Sequence, residues 1–122
     1  PIHRASTVIF DDLDSFEKRA ELLYDGFSYG LYGTPTSRAL EDHVAHLEGG
    51  TRALVTPSGL SAIAIATLAT TKAGEQVLMP DTLYGPAKDM AQRLLAPLGI
   101  DVVIYDPLLN AGIAELVTDR TR

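Results

Sequence analysis

The sequence predicts an α/β protein built on a parallel sheet covered by helices on both faces, and three observations carry that reading. Its strand candidates, ALV at 53–55, VLM at 77–79 and VVIY at 102–105, are continuous apolar runs rather than alternating ones, the pattern of strands buried on both faces. Segments of helical length separate these runs, so strand and helix alternate along the second half of the chain, as they do when crossover helices join parallel strands. Size and composition agree: 122 residues, 46% hydrophobic and 21% charged with a mean hydropathy of +0.09, describe a folded domain rather than a disordered or low-complexity chain.

Taken in order, residues 1–11 read as an extended arm with a β-branched run at Thr7, Val8 and Ile9. Asp12 or Asp14 caps a helix through about Leu23, with Phe16, Ala20 and Leu23 at helical spacing and Glu17, Lys18, Arg19 and Glu21 facing solvent. Residues 24–36 (YDGFSYGLYGTPT) hold three glycines, a proline and three tyrosines, an irregular loop with far more aromatic surface than a solvated linker. Ser37 is the expected cap of a helix ending at Glu48, its apolar face formed by Leu40, Val44 and Leu47 and its stop by Gly49-Gly50. A strand over Arg52–Thr56, a buried helix over Leu60–Thr70, a strand over Gln76–Met79, a helix over Tyr84–Ala96 stopped by Pro97 and Gly99, a strand over Asp101–Tyr105 and a helix over Leu109–Val117 complete the pattern.

Several function classes are disfavoured at once. The absence of cysteine removes a disulfide scaffold, a thiolate-zinc site and a cysteine nucleophile, and fits a reducing compartment, with the cytoplasm as the default. A net charge of −6 and a pI near 4.8 are the opposite of the footprint of a nucleic-acid or anionic-membrane binder. The longest apolar stretch, at residues 60–69, is too short and too polar to span a bilayer. His43 and His46 flank the apolar stripe of their helix without a third ligand at metal spacing, so no metal is expected. The chain opens on Pro1 with neither an initiator methionine nor a signal-peptide pattern, and stops at Arg122 directly after an apolar element. The expectation is a part of something larger.

Ligands of a parallel sheet gather beyond the carboxyl ends of its strands. There, Thr56-Pro57-Ser58-Gly59-Leu60-Ser61 runs from a strand end straight into an apolar helix, leaving helix-start N–H groups at the positive end of the dipole, with Gly59 permitting close approach. Two readings stand: an anion cradle, or a plain Ser/Gly helix cap. Neither a Walker loop nor GxGxxG is present, which disfavours nucleoside triphosphates and dinucleotides as the anion. A second turn, 80–86 (PDTLYGP), sets Tyr84 at the start of the next helix. Its phenol either stacks on a planar ligand or is simply half-buried beside a cap at Asp81 or Thr82.

Together, YGLYGTPTSRALEDHVAHLEGG, ALVTPSGLSAI and VLMPDTLYGPAKDM resemble the amino-terminal half of the pyridoxal-phosphate enzymes of cysteine and methionine metabolism, the cystathionine β-lyase and γ-synthase group. The likeness runs from about Ile2 to Thr121 on four landmarks in order: the tyrosine-rich loop, the ALE…LEGG helix, the S-G-L turn and the D-x-x-Y-G turn. It implies the parallel-sheet part of an aspartate-aminotransferase-like (fold type I) cofactor domain over 37–122, preceded by an arm, helix and interface loop over 1–36. The implied cofactor is pyridoxal 5'-phosphate. Its phosphate would meet the N–H groups of Gly59 and Leu60, with Ser58 shaping the turn, while Tyr84 would stack on the pyridine ring and assist acid/base steps.

In the resembled family a Tyr-x-Arg pair of the loop crosses to the neighbouring subunit's phosphate. Tyr29 matches the tyrosine, but Leu31 stands at the arginine position and cannot supply a bidentate, charge-assisted contact. The lysine that forms an imine with the cofactor, in S-x-x-K context, and the aspartate that protonates the pyridine nitrogen have no counterpart here. Lys18, Lys72 and Lys88 all lie in other contexts. The resemblance implies a carbon-sulfur lyase acting on a sulfur amino acid in a homo-oligomer, a dimer of dimers. GTPT and STVIFDD point to the cystathionine β-lyase branch. Cystathionine γ-synthase, γ-lyase and sulfhydrylase activities are the alternatives, as is a truncated, catalytically silent interaction piece.

Overall fold

A computed structural model describes residues Pro1–Leu22 and Asp25–Arg122. The chain forms two compact units, Pro1–Val55 and Thr56–Arg122.

In the first unit an irregular extended arm leads to α1 (Leu13–Glu17), which continues as a 3-10 turn over Lys18–Leu22. The long helix expected here is therefore a short helix that tightens. Phe16 and Ala20 are exposed, so no core stripe drives an α-helix onward. Phe16 instead meets Phe10 edge-on at 5.7 Å and carries the Arg19 guanidinium 4.0 Å above its ring. Leu23 and Tyr24, part of the expected helix and loop, lie outside the described residues. Asp12 is the cap of α1 and accepts from the Ser15 amide at 2.7 Å. That amide, then the Ser15 side chain, holds its carboxyl below the ordinary aspartate range. The cap therefore stabilises above the normal carboxylate range and is lost as pH falls through the lowered value.

α2 (Pro35–Glu48) starts earlier than expected. Thr34 is its cap, Pro35 fits the first turn because its missing N–H needs no partner there, and Ser37 answers as the other half of a reciprocal box, its Oγ accepting from the Thr34 amide at 2.8 Å. Gly49, at φ 66, supplies the left-handed stop. The expected apolar face is the open one. Leu40, Val44 and Leu47 are 53%, 39% and 81% exposed, whereas Glu41 and Ala45 are buried.

Residues 52–56 are not a strand. They pair with no ladder among the described residues, and the Val55 amide donates to Glu41 Oε1 at 3.0 Å instead. An apolar run becomes a strand only beside a backbone partner.

The second unit holds α3 (Gly59–Thr70), β1 (Gln76–Pro80), α4 (Gly85–Met90) and β2 (Asp101–Tyr105). β1 and β2 are parallel, in register from Gln76↔Asp101 to Pro80↔Tyr105. On the far side of β1, Thr121 forms a parallel bridge to Gln76, with Gln76 N donating to Arg120 O at 2.8 Å and Arg122 N to Gln76 O at 3.0 Å. The core is small: Met79, Met90, Ala91, Leu95 and Ile100, with Leu60, Ile63, Ala64, Val77, Leu83 and Val102 packed around it.

Three expectations change in this unit. α3 is covered on one side only, leaving Ile65 46% and Leu68 39% exposed, so it is not the fully buried helix its composition suggests. The single helix expected over 84–96 is α4 followed by a π turn (Ala91–Leu95) and a 3-10 turn (Ala96–Leu98), closed by Gly99 at φ 78; Pro97, which cannot donate to the ladder, ends the regular helix early. The last expected helix is a 3-10 segment (Pro107–Leu116) broken at Asn110, whose φ is 49.

Candidate functional site

The Thr56–Ser61 turn is built from local hydrogen bonds. Ser58 caps α3, its Oγ accepting from the Ser61 amide at 3.1 Å and lying 2.8 Å from Ser61 Oγ, while Thr56 Oγ1 donates to the Ser58 carbonyl at 2.9 Å. Ala62 N donates to Ser58 O at 3.0 Å. The Gly59 and Leu60 amides, the first two of the helix, find no acceptor among the described residues, as expected of a helix start whose cap serves only the third amide. A Cβ built on Gly59 meets nothing within 4 Å. The backbone is therefore open to an approaching group, and the donors it presents suit an anion.

Tyr84 stands immediately before α4, 64% exposed, with no side-chain capping bond, and its carbonyl accepts from Ala87 N at 2.8 Å and Lys88 N at 3.3 Å. Among the described residues the phenol has no hydrogen-bond partner. Beside it, Lys88 Nζ donates to Asp81 Oδ1 at 2.6 Å, which accounts for the cation of this turn. One core anchors both turns, since Leu60 at the start of α3 and Leu83 just ahead of Tyr84 pack against the same cluster. A hollow of about 710 Å³ opens at the carboxyl ends of β1 and β2, but Asp81 and Asp106 in its lining make it the wrong sign for an anion.

Tyr29 belongs to the first unit. It is 44% exposed and packs edge-on to Tyr32 at 6.0 Å, while Leu31 is 79% exposed. The arm fixes this loop: Gly30 N donates to Ser6 O at 2.7 Å, and a Cβ on Gly30 would lie 1.9 Å from the Ala5 carbonyl oxygen, so only glycine fits. No sequence pattern signals two polar groups here. Ser28 Oγ is buried without a hydrogen-bond partner among the described residues, and Glu41 is buried on α2. His43, whose Nδ1 lies 2.6 Å from Ala39 O, is occupied by its own helix; among the described residues no three His, Asp or Glu side chains gather as metal ligands, and no helix is long and apolar enough to cross a membrane.

The start of α3 thus presents two amides suited to an anion, and an exposed tyrosine stands on the turn between β1 and α4 of the same α/β unit. The sequence profile of the Cys/Met metabolism PLP-dependent enzymes matches residues 1–122, and the chain belongs to that family, whose cofactor is pyridoxal phosphate. It is 39% identical over 125 residues to a cystathionine beta-lyase of Bordetella avium, covering 100% of this chain and 31% of that protein. To an L-methionine gamma-lyase of Fusobacterium nucleatum subsp. polymorphum it is 37% identical over 122 residues, again covering 100% of this chain and 31% of the relative. The crystal structure of metB from Corynebacterium glutamicum shares the fold with a TM-score of 0.84 at 24% identity, over 100% of this chain and 30% of that one. The chain thus spans about a third of the length of the relatives it matches.

Proposed function

We propose that these residues are part of a pyridoxal-phosphate-dependent carbon-sulfur lyase, a cystathionine β-lyase that releases homocysteine, pyruvate and ammonia from cystathionine. The observation that carries the reading is the pair of amides at Gly59 and Leu60 that have no acceptor among the described residues, on a turn that shares its core with the Tyr84 turn. When bound, the cofactor supplies an electron sink for the carbon from which the substrate proton leaves. The chain's own residues bind and orient it. Gly59 and Leu60 N–H groups would hold the phosphate dianion at the positive end of α3, Ser58 keeps the turn closed around its own hydroxyl bonds, and the Tyr84 ring would stack on the pyridine. The Tyr84 hydroxyl would assist a proton transfer at the substrate. Lys18 and Lys88 pair with Asp14 and Asp81, and none of Lys18, Lys72 and Lys88 lies in the S-x-x-K context, so the lysine of the chemistry is assigned to sequence outside these residues.

The similarity to the methionine gamma-lyase favours a second reading, γ-cleavage, at nearly the same identity. Products separate the two. The full-length protein given pyridoxal phosphate and cystathionine is expected to form pyruvate and homocysteine; 2-oxobutyrate and cysteine would instead establish γ-cleavage, and no keto acid would refute the lyase.

The composition supports a cytoplasmic location, and the exposed Phe27, Tyr29, Leu31 and Tyr32 of the loop support a homo-oligomer, a dimer of dimers in which Tyr29 meets the neighbour's cofactor phosphate. Leu31 projects into solvent, so Leu31→Arg adds a cation without displacing packing. It is expected to tighten cofactor binding by about tenfold in the full-length protein through one charge-assisted contact. Weaker cofactor retention would show that the loop takes another course, and sedimentation as an active monomer would contradict the oligomer.

A further inference from the structure

We infer that Arg38 and Glu41 form a positioning unit that ties the main chain of the aromatic loop to Val55 within the first unit, and so tunes cofactor binding through Tyr29 without touching the cofactor. The inference rests on the proposed role of Tyr29. α2 is inverted relative to an ordinary surface helix: its leucines and valine face out while a carboxylate is covered. Covering a carboxylate is costly unless each oxygen is satisfied, and Glu41 divides its two oxygens between different duties. Oε2 lies 3.3 Å from Arg38 Nη1, and Oε1 accepts the Val55 amide at 3.0 Å. Arg38 uses its other terminal nitrogen, Nη2, to donate to the Tyr32 carbonyl at 3.0 Å.

The result is a continuous path of charge-assisted bonds: Tyr32 carbonyl, Arg38, Glu41, Val55 amide. Both of its ends are backbone groups, so it sets main-chain positions rather than side-chain rotamers. One end holds the loop that carries Tyr29. The other holds Val55, in a segment that has no ladder partner among the described residues. Without Glu41 the Val55 N–H loses its acceptor and Arg38 keeps only the Tyr32 carbonyl, so the loop is no longer tied to Val55, and a side chain aimed at an anion loses binding on small displacements.

The test uses the full-length protein, stripped of cofactor and titrated with pyridoxal phosphate by absorbance, with thermal melting of the stripped form run beside it. Glu41→Ala is expected to weaken cofactor binding about tenfold, and Glu41→Gln, which keeps an acceptor for Val55, to recover most of the loss. Arg38→Met, which keeps the stem and leaves Val55 held, is expected to cost about fivefold and gives the answer if Glu41→Ala does not fold. A folded Glu41→Ala or Arg38→Met protein with wild-type affinity, or a Glu41→Gln protein no better than Glu41→Ala, would overturn the inference. Tyr29→Phe in the same titration separates the layers. Loss at Tyr29 with no loss at Glu41 or Arg38 overturns this inference alone, whereas no loss at Tyr29 overturns the role of the loop and this inference with it.

Discussion

Replacing Gly59 with valine is expected to weaken pyridoxal phosphate binding by roughly a hundredfold in the full-length protein while leaving the unliganded fold intact. The two halves of that expectation have separate causes. A Cβ at Gly59 meets nothing within 4 Å and its φ lies outside the left-handed region, so the protein accommodates the side chain, and a helix start loses little by exchanging glycine for a bulkier residue. A branched side chain does, however, stand over the amides of Gly59 and Leu60. Two charge-assisted hydrogen bonds to a phosphate dianion, each contributing about 1.5–3 kcal/mol, are then lengthened or lost. Equilibrium titration of the stripped enzyme reads the first half, and its melting temperature without cofactor reads the second. Affinity equal to wild type would mean that the phosphate sits elsewhere.

Leu95→Ala is expected to destabilise the protein by about 2–5 kcal/mol, the range for deleting a fully buried leucine side chain. Leu95 is 0% exposed and sits among Met79, Met90, Ala91 and Ile100. Because so few side chains make up this core, the neighbours have little material with which to refill the cavity. The control is Leu108→Ala, at a side chain 79% exposed, which should stay within about 0.5 kcal/mol of wild type. Denaturant unfolding of the full-length protein, followed by intrinsic tyrosine fluorescence, measures both; equal midpoints for the two variants would remove Leu95 from the core.

The parallel α/β pairing was legible because its signals are local. VLM and VVIY are apolar runs bounded by turn residues, and they pair in register. Ser58 and Gly59 open α3 as a cap followed by a helix start, a signal that a handful of adjacent residues carries. The misread elements depend on partners distant in sequence. Residues 52–56 have strand composition, but the Val55 amide is taken by Glu41, and no local pattern announces that. Leu40, Val44 and Leu47 form a helical stripe, and periodicity tells which residues share a face, not which face is covered. The covered one holds Glu41, whose cost is offset by bonds to Arg38 and Val55 that appear only in three dimensions. In the site, the turns at Ser58 and Tyr84 were readable from residue types, whereas their common anchor through Leu60 and Leu83 was not, since it arises from the packing of α3 and α4 around one small core.

The central claim is that the amides of Gly59 and Leu60 receive the cofactor phosphate under the cover of Tyr84. A crystal structure of the full-length protein with pyridoxal phosphate tests it most directly. The account predicts phosphate oxygens within about 2.7–3.2 Å of both amide nitrogens and the Tyr84 ring stacked on the pyridine; a phosphate held at another turn, with the start of α3 facing only solvent, would contradict it.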